Sequence, residues 1–538
     1  MVRAVKKPKH KDTIIPEPEP ARPTEVAGPA RPEPSGVLVG EPLSVEDVVA
    51  VALMDAPVAL SSRGRGAIER ARATVDALLH DDAGPTYGIN TGFGALAEVR
   101  IPPDQLEDLQ HNLLRSHAVG VGPALERKYV RAMMLLRAQV LALGYSGVRP
   151  VVVERLIEMI NRRVHPVIPS QGSVGACGDL APLAHLALVL TGEGEATYHG
   201  ELVPGGRAMT RAGLAPIRLA AKEGLSLING TQGMLAIGSL CLARAELLSQ
   251  TADVTGAMTV EALKGSVRPF DAAIVEARPH PGALAAAAHL RGLLADSQIV
   301  LSHADCKEVQ DAYSLRCMPQ VHGATRDMLA HVRRVLEIEL NSATDNPLVL
   351  GDGRIQSGGN FHGQPVAAAL DAAVIAMVDL ASISERRIAQ LVDPHLNRGM
   401  PAFLSPHSGL NSGFMMAQVT AASLVSEAKA MAFPKSVDTI PTSADREDHV
   451  SMGMTSARTF DAVNTLVGHV LAIEAMVAGQ GISMREPAPG RGVAAAVARL
   501  REVVPFLEND RALHIDIAAA RDLVTTGDLL NVADAALG

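Results

Sequence analysis

The stretch QGSVGACGDLAPLAH, residues 171–185, interrupts a chain whose remaining pattern is mostly helical. Its glycines surround one cysteine, Cys177. Gly178 has no side chain, so its backbone nitrogen can approach the carbonyl carbon of Ala176 closely. Attack at that carbon with loss of water would close a five-membered imidazolone ring. Loss of the Cys177 sulfur would then leave an exocyclic methylene, so the segment could become an electrophile made from backbone.

Two other interpretations of Cys177 remain open from the local pattern. Buried cysteines are commonly inert core thiols, and a thiolate at a helix N-terminus can act as a nucleophile. Asp179 suits a helix N-cap, and Pro182 is tolerated in the first turn that follows. The segment would then lie at the positive end of a helix. Spacing alone does not separate the three interpretations.

The composition favours a large helical body. The chain has 538 residues, of which 47% are hydrophobic, with no Trp, 5 Tyr and 8 Phe. A core of this kind must be built from Ala, Leu, Val, Ile and Met, which suits closely packed helices. The formal net charge of -9 gives no general attraction to nucleic acid or to an anionic membrane. The most apolar run, residues 365–387, contains Asp371 and Asp379, so it predicts a buried bundle helix rather than a membrane span.

The cysteine and histidine spacing predicts no metal site. No CxxC pair or zinc-finger spacing is present, and the histidines, such as His185 and His322, show no metal-ligand pattern. A chain of this size with so few thiols has no disulfide framework, which indicates a reducing, cytoplasmic setting. The four cysteines are Cys177, Cys241, Cys306 and Cys317.

Three regions are predicted along the chain. Residues 1–40 begin with basic residues and continue with Pro and Glu, which cannot bury enough apolar surface to fold. They are predicted to be a disordered, solvated tail rather than an interaction arm, and they lack the apolar stretch of a secretory signal. Residues 41–145 are assigned to an N-terminal domain, and residues 146–538 to the electrophile segment and a central helical bundle.

Seven further motifs accompany GSVGACGDLAPLAH: YGINTGFG, LQHNLLRSHAVGVG, LINGTQ, VQDAYSLRCMPQVHG, NSATDNPL, GGNFHG and SADREDHVSMG. Together they resemble the aromatic amino acid ammonia-lyases, from about residue 44 to the C-terminus. That family builds a methylidene-imidazolone from Ala-Ser-Gly, and Cys177 stands here in place of the serine. Elimination would then expel hydrogen sulfide instead of water. A thiol, with a reference pKa of about 8.5, is a reasonable leaving group, so we expect autocatalytic formation from Ala176, Cys177 and Gly178.

The resemblance also implies roles for individual side chains. Tyr87 would be the base that removes a β-proton of the substrate. The pair Ser116-His117 and the carboxyl of Glu447 resemble the histidine-specific members, in which they would contact the substrate imidazole. Tyrosine-specific members tend to show His-Leu at the first position and phenylalanine-specific ones Phe-Leu, and both typically carry Gln at the second. Read without the resemblance, Glu447 could simply belong to a charged surface run.

The remaining implied contacts concern the amino acid's polar groups and the prosthetic ring. Arg316 would bind the substrate carboxylate, because its planar fork matches a carboxylate with two parallel hydrogen bonds. Phe361 would pack near the ring. Three more residues would hold the amine and carboxylate and support the electrophile: Asn229, Gln310 and Tyr313. Each of these side chains could be merely structural if read alone.

The fold implied by the resemblance is mainly α, with a long central helical bundle and a smaller mixed N-terminal domain, as in the ammonia-lyase and fumarase-like architecture. A homotetramer with shared active sites is implied as well. The expected reaction is non-oxidative deamination of L-histidine to trans-urocanate and ammonia, the first step of histidine degradation, with no metal or diffusible cofactor. Whether the amine or the aromatic ring adds to the methylidene stays open. The rivals are a lyase or 2,3-aminomutase for another aromatic amino acid, and a non-catalytic relative with unprocessed Cys177.

Overall fold

The N-terminal part of the ordered chain begins earlier than the sequence suggests. The computed structural model describes residues 36–79, 86–92, 98–303 and 309–538. Strand β1 (Val37–Val39) pairs in parallel with β2 (Val58–Leu60), and Val37 and Val39 are buried. Residues 37–40 of the predicted tail are therefore folded, because an apolar VLV run finds a strand partner. The rest of the tail, residues 1–35, lies outside the described residues.

Helices of moderate length follow these strands. Helix α1 begins after the N-cap Ser44, whose side chain accepts a hydrogen bond from the Asp47 N–H while the Asp47 carboxylate accepts from the Ser44 N–H. This reciprocal pair satisfies two of the free N–H groups that every helix start exposes. The helices of this part are α1 (Val45–Leu53), α2 (Ser62–Asp76), α3 (Leu106–His117), α4 (Arg127–Ala142) and α5 (Pro150–Asn161).

Short strands lie before residues 172–179, the part of the quoted stretch that we call the electrophile segment. Two later pairs of strands enclose one loop each. Residues 195–204 form a hairpin within a three-stranded antiparallel sheet in the order β4-β6-β7. Strand β5 ends directly before the electrophile segment and pairs with β3. The strands are β3 (Val121–Ala124), β4 (Val164–Pro166), β5 (Pro169–Gln171), β6 (Glu195–Tyr198), β7 (Glu201–Pro204), β8 (Leu348–Val349) and β9 (Ile355–Gln356).

Long helices packed side by side form the centre of the molecule: α9 (Gln232–Ala262), α14 (Met318–Leu340), α15 (Gln364–Val392) and α17 (Gly453–Ser483). Shorter helices surround them and connect them: α6 (Leu180–Leu190), α7 (Gly205–Arg211), α8 (Glu223–Ile228), α10 (Ala272–Glu276), α11 (Pro281–Leu293), α12 (Gln298–Leu301), α13 (Tyr313–Arg316), α16 (Met415–Met431), α18 (Arg491–Val503), α19 (Leu513–Thr525) and α20 (Asp528–Ala535). The predicted mainly α fold is confirmed.

The core helices bury one matched set of charged and polar groups. Glu474 of α17 and Arg387 of α15 form an ion pair with no exposed side-chain surface. The Glu474 carboxylate also accepts hydrogen bonds from the hydroxyls of Thr255, Thr259 and Ser384. Burying a charge is tolerated when a partner and further hydrogen bonds satisfy it. The set therefore fixes α9, α15 and α17 against one another.

Two described helices, α15 and α17, are long and apolar enough to cross a bilayer by length and composition. Of their most apolar windows, 61% and 78% are buried inside the folded chain, as expected for core helices. One cluster of buried apolar side chains includes residues from Val37 to Ala533. Because this cluster draws on both sides of residue 145, the domain boundary there stays a prediction.

Candidate active site

The electrophile segment forms a tight turn between β5 and α6, pressed against the residues that precede α9. The Asp179 N–H donates to the Gly230 carbonyl over 2.8 Å, and the Gly230 N–H donates to the Cys177 carbonyl over 3.2 Å. Gly178 has a φ of +69°, and a Cβ placed on it would lie 2.1 Å from the Gly230 oxygen. Only glycine fits this position, since any side chain would collide with backbone.

The backbone atoms that ring closure would join have no hydrogen-bond partners within the described part of the chain. They are the Gly178 nitrogen and the carbonyl of Ala176. The neighbouring groups are paired: the Gly175 carbonyl accepts from the Ser451 hydroxyl over 3.0 Å, and the Cys177 carbonyl accepts from Gly230. Ala176 is buried, with 7% of its surface exposed. The residues present therefore fit a methylidene-imidazolone, because a cyclisation here breaks none of the bonds that hold the turn.

The Cys177 thiol donates a hydrogen bond to Glu447 Oε1, with Sγ and Oε1 3.0 Å apart. Glu447 Oε2 in turn accepts from the Thr442 hydroxyl over 2.6 Å. Burial, together with the hydrogen bond and charge of Glu447, raises the pKa of the Cys177 thiol well above its usual range. This disfavours the thiolate-nucleophile interpretation. A half-buried thiol that binds a carboxyl group also differs from an inert core cysteine.

Asp179 has a different role from the predicted one. It stands at the N-cap position of α6, but its side chain makes no capping bond to that helix. Its carboxylate instead accepts from the Met234 N–H at the start of α9, over 2.7 Å, and from the Ser173 hydroxyl over 2.8 Å. Burial raises the pKa of Asp179 to about 6 against these bonds. Asp179 therefore ties the turn to α9, which sequence spacing could not show.

His117 is the last residue of α3 and faces the charge of Glu447. Its Nδ1 lies 2.9 Å from the Leu113 carbonyl and 3.0 Å from the Ser116 hydroxyl. The Leu113 bond requires a proton on Nδ1, which leaves Nε2 as the acceptor of a neutral ring. Burial lowers the pKa of His117, and the Leu113 carbonyl and the Glu447 charge oppose that shift. The structure thus brings an imidazole, a carboxyl and the thiol of Cys177 to one place.

Asn229 and Tyr87 both adjoin helix α8. Asn229 directly follows the helix, is buried, and donates from Nδ2 to the Asn346 carbonyl over 3.1 Å. Its Oδ1 has no hydrogen-bond partner among the described residues. Tyr87 is half-buried in the described part of its loop, residues 86–92. A Cβ on the neighbouring Gly88 would lie 2.7 Å from Leu225 of α8, so the Tyr87 loop packs closely on that helix.

The loop that contains Phe361 lies beside the same turn. His362 Nε2 is 3.1 Å from the His449 carbonyl oxygen, and the two imidazole rings stack with centroids 5.9 Å apart. A Cβ on Gly363 would lie 2.8 Å from the Ser451 hydroxyl, which holds the turn. Phe361 itself is half-buried. The loop is therefore close to the electrophile segment, while the role of Phe361 stays a prediction.

The other predicted residues lie at the opposite end of α9. Gln310 and Arg316 line a cavity of about 550 Å³. The Arg316 guanidinium lies 4.8 Å from the centroid of the Tyr313 ring, which is 72% exposed. The Asp311 carboxylate in the same cavity accepts from the Ser266 N–H, just past the C-terminal end of α9.

The length of α9 separates these two groups of residues. Gly230, which pairs with Cys177, comes two residues before the helix, and Ser266 comes four residues after it. Thirty-one residues at a rise of 1.5 Å per residue span about 45 Å. A single chain therefore does not bring Gln310, Tyr313 and Arg316 to Cys177.

Several residues that hold the site were not singled out from the sequence. Gly230 and Ser451 lie inside the quoted motifs LINGTQ and SADREDHVSMG, but the motifs do not indicate which atoms face the turn. Thr442, which orients Glu447, lies just before the second of these motifs. Within the described ranges, no cluster of three or more His, Cys, Asp or Glu side chains is arranged to bind a metal ion.

Comparison with known proteins places this architecture in a family. Residues 43–502 match the family model described as aromatic amino acid lyase. The histidine ammonia-lyase of Sorangium cellulosum (strain So ce56) is 57% identical over 511 residues, which cover 93% of this chain and 99% of that protein. The chain belongs to the aromatic amino acid lyase family, and the sequence-based expectation is confirmed.

Two solved structures show the same fold. The crystal structure of histidine ammonia-lyase from Trypanosoma cruzi is 42% identical with a TM-score of 0.87, and covers 93% of this chain and 96% of its own. Tyrosine aminomutase from Streptomyces globisporus is 38% identical with a TM-score of 0.87, over 93% and 99% of the two chains. Proteins named for different substrates and reactions therefore share this backbone, so specificity must be argued from side chains.

Proposed function

We propose that this chain is a histidine ammonia-lyase that converts L-histidine to trans-urocanate and ammonia. The observation that carries the proposal is that Glu447 binds the Cys177 thiol while its charge acts on the imidazole of His117. A carboxylate accepts a hydrogen bond from an imidazole N–H and pairs with its charged form. Once the Cys177 sulfur has left, a substrate side chain without an N–H would leave Glu447 Oε1 without its donor, which penalises phenylalanine. The high identity to proteins named histidine ammonia-lyase supports the same substrate.

The prosthetic group is proposed to form from Ala176, Cys177 and Gly178. Closure of the ring joins the Gly178 nitrogen to the Ala176 carbonyl carbon and releases one water. Elimination breaks the Cα–H and Cβ–S bonds of Cys177, forms the Cα=Cβ bond, and releases the sulfur with two protons as hydrogen sulfide. When present, the group supplies an electron-poor methylidene that activates the substrate.

The side chains around the turn would bind the substrate and move its protons. His117 is held neutral with Nε2 available, so it would accept a hydrogen bond from the N–H of the substrate imidazole. Asn229 Oδ1, which is buried without a partner among the described residues, suits the N–H groups of the substrate ammonium. Tyr87 is proposed as the base for the β-proton, because its loop packs on the helix that carries Asn229.

The carboxylate of the substrate is proposed to bind Arg316 of another subunit. The Arg316 Nε is buried and has no partner among the described residues, so the guanidinium keeps a donor for a carboxylate. Because α9 separates Arg316 from Cys177 within one chain, the two can act together only if different chains supply them. We therefore infer active sites shared between chains, in which Gln310 and Tyr313 accompany Arg316, and the family resemblance implies that the assembly is a homotetramer.

The test combines an activity measurement with a mass measurement on the purified protein. Urocanate absorbance is followed with L-histidine, and the corresponding unsaturated acids with L-tyrosine and L-phenylalanine. We expect deamination of histidine only, and a peptide spanning residues 171–185 that is lighter by one water and one hydrogen sulfide. Deamination of tyrosine at the histidine rate would overturn the specificity. An unmodified peptide with a free thiol from an inactive protein would point to the non-catalytic relative.

A further inference from the structure

Lys222 and Asp345 form an ion pair beneath the proposed site. Lys222 Nζ lies 2.9 Å from Asp345 Oδ2, and neither side chain has exposed surface. The Ser226 hydroxyl accepts from Nζ and donates to Oδ2, each over 2.9 Å. Lys222 has a φ of +75° and stands directly before α8. The pair therefore joins the start of α8 to the loop that contains Asp345.

Stability alone does not account for such a pair. Taking two charges out of water costs several kcal/mol per ion before their attraction offsets it, and apolar replacements of similar volume are often neutral or stabilising. A left-handed conformation at a lysine adds strain of about 1 kcal/mol. Strain and buried charge are typical of sites that need a defined geometry.

The pair orients the groups that hold Asn229. Asp345 Oδ1 accepts from the Asn346 N–H over 2.7 Å, which fixes the orientation of that residue. The Asn346 carbonyl then accepts from Asn229 Nδ2, and the Asn346 side chain accepts from the Gly358 N–H over 2.9 Å. With Nδ2 so engaged, Asn229 Oδ1 is the atom left for a ligand. Asn346 is therefore the one residue that connects the ion pair to Asn229.

The same loop also supports the Tyr87 segment. Pro347 follows Asn346, and a Cβ on Gly88 would lie 3.0 Å from Pro347 Cδ. Gly88 has a φ of +74°, so it accepts this close approach where a larger residue would not. A shift of the loop would therefore move the residue beside Tyr87 as well as the partner of Asn229.

We propose that Asp345 is a positioning residue, which sets Asn229 and Tyr87 for the reaction through Asn346 and Pro347, and that Lys222 supplies the opposite charge that its buried carboxylate needs. This inference rests on the proposed function, because it assigns Asn229 and Tyr87 to substrate handling. Neither Lys222 nor Asp345 is proposed to touch the substrate. The effect of Asp345 is expected in the turnover rate, since a displacement of about 1 Å in a reacting group can lower a rate by up to about 100-fold.

The experiment compares two double variants that both lack the ion pair. Lys222→Met/Asp345→Asn keeps an oxygen that can accept from the Asn346 N–H, whereas Lys222→Met/Asp345→Leu removes it. We expect kcat/KM of the first variant within about threefold of the unmodified chain, and that of the second at least about tenfold lower, mostly in kcat. Equal kcat/KM values in the two variants would overturn the proposal.

Two further readouts separate positioning from general damage. Both variants should unfold at similar temperatures and should yield the processed 171–185 peptide. The loss caused by Asn229→Ala should be smaller in the leucine background than in the asparagine background, because residues that act through one another are not additive. Equal losses in both backgrounds would contradict action through Asn229. If the leucine variant does not fold, alanine at position 345 replaces it, since alanine also lacks the acceptor.

The unmodified chain separates this proposal from the proposed function. The rates are measured with whichever of histidine, tyrosine and phenylalanine the unmodified chain deaminates. Turnover of tyrosine alone would refute histidine specificity while the two variants still test positioning. A chain that deaminates none of the three amino acids would overturn both proposals.

Discussion

The two ends of helix α9 differ in how completely one chain builds them. At the N-terminal end, Asp179 and the turn around Cys177 are held by hydrogen bonds to backbone and to buried side chains. At the C-terminal end, Tyr313 is 72% exposed and Val309 is 94% exposed beside an open cavity. The first region is held together by contacts within one chain, while the second exposes the apolar side chains of Tyr313 and Val309 to solvent.

This difference explains why the predicted residues fall into two sets. A prosthetic group that forms from backbone needs a rigid turn, which local bonds within one chain provide. A substrate needs a route into the site, which an interface between chains provides more easily than a closed core. We call the turn around Cys177, with Asp179, His117 and Glu447, the self-contained half, and the set of Gln310, Tyr313 and Arg316 the completing half. Four changes, taken in order of expected effect, test this division.

The largest effect is expected from the self-contained half. Cys177→Ala removes the sulfur that must leave, so urocanate formation should fall by about 1000-fold or more, and the 171–185 peptide should keep its unprocessed mass apart from the substitution. Cys177→Ser should be processed by loss of water and keep activity. Cys241→Ala is the matched control, since that thiol is buried elsewhere. Full activity of Cys177→Ala would refute an electrophile at this position.

A change in the completing half is expected to weaken substrate binding. Arg316→Ala removes the proposed carboxylate fork, so kcat/KM for histidine should fall by about 100-fold, mainly through KM. Steady-state kinetics and the peptide mass are both measured, because processing at the other end of α9 should be unaffected. Loss of processing in this variant would contradict the independence of the two halves. Arg334→Ala, on the neighbouring helix α14, is the control for loss of an arginine charge.

Specificity is assigned to the self-contained half through Glu447. Glu447→Gln keeps the size of the side chain but removes its charge, so kcat/KM for histidine should fall by about 30-fold. The midpoint of thermal unfolding should stay nearly constant, because the half-buried carboxyl forms no ion pair with any of the described residues. Asp448→Asn in the same loop should leave the kinetics unchanged. Equal losses in the two variants would indicate that the loop, rather than the carboxyl, matters.

The smallest effect is expected on stability, from a change at His289, which pairs with the part of α9 that lies between the two halves. His289 lies between Asp253 of α9 and Asp534 of α20, at 3.0 and 2.9 Å. Burial alone would lower the pKa of His289, but the two carboxylates outweigh it and raise the pKa. Stabilisation by His289 should therefore be complete below pH of about 6.5 and be lost as pH rises through its raised pKa.

Chemical denaturation at two pH values checks the direction of this effect. His289→Gln should lower the free energy of unfolding by about 1 kcal/mol more at pH 6 than at pH 9. The exposed His514→Gln serves as the control. A larger loss at pH 9 than at pH 6 would reverse the sign and contradict a raised pKa.

The sequence predicted the fold and the residues of both halves, but not their arrangement. Motif resemblance predicted the family and singled out residues 171–185, whose processing stays a proposal, and helical patterning identified the buried helix at residues 365–387, now part of α15. Patterning failed at Asp179, whose position resembles an N-cap for α6 but whose carboxylate reaches α9. It also failed at residues 37–40, because strand pairing with β2 depends on partners 21 positions further along the chain. The pairing of Lys222 with Asp345 could not be predicted from the sequence, because two residues 123 positions apart form a pair only through tertiary packing.

The most direct test of the shared site mixes two impaired chains and assays them at histidine concentrations far below KM. Cys177→Ala and Arg316→Ala chains are co-expressed, and urocanate formation by the purified mixed assembly is compared with that of each variant alone. If different chains supply the two residues, random assembly leaves about one quarter of the sites with both residues intact, so about a quarter of the unmodified activity should return. If one chain supplied both residues, no site would be intact, and the mixed assembly would be as impaired as its parents.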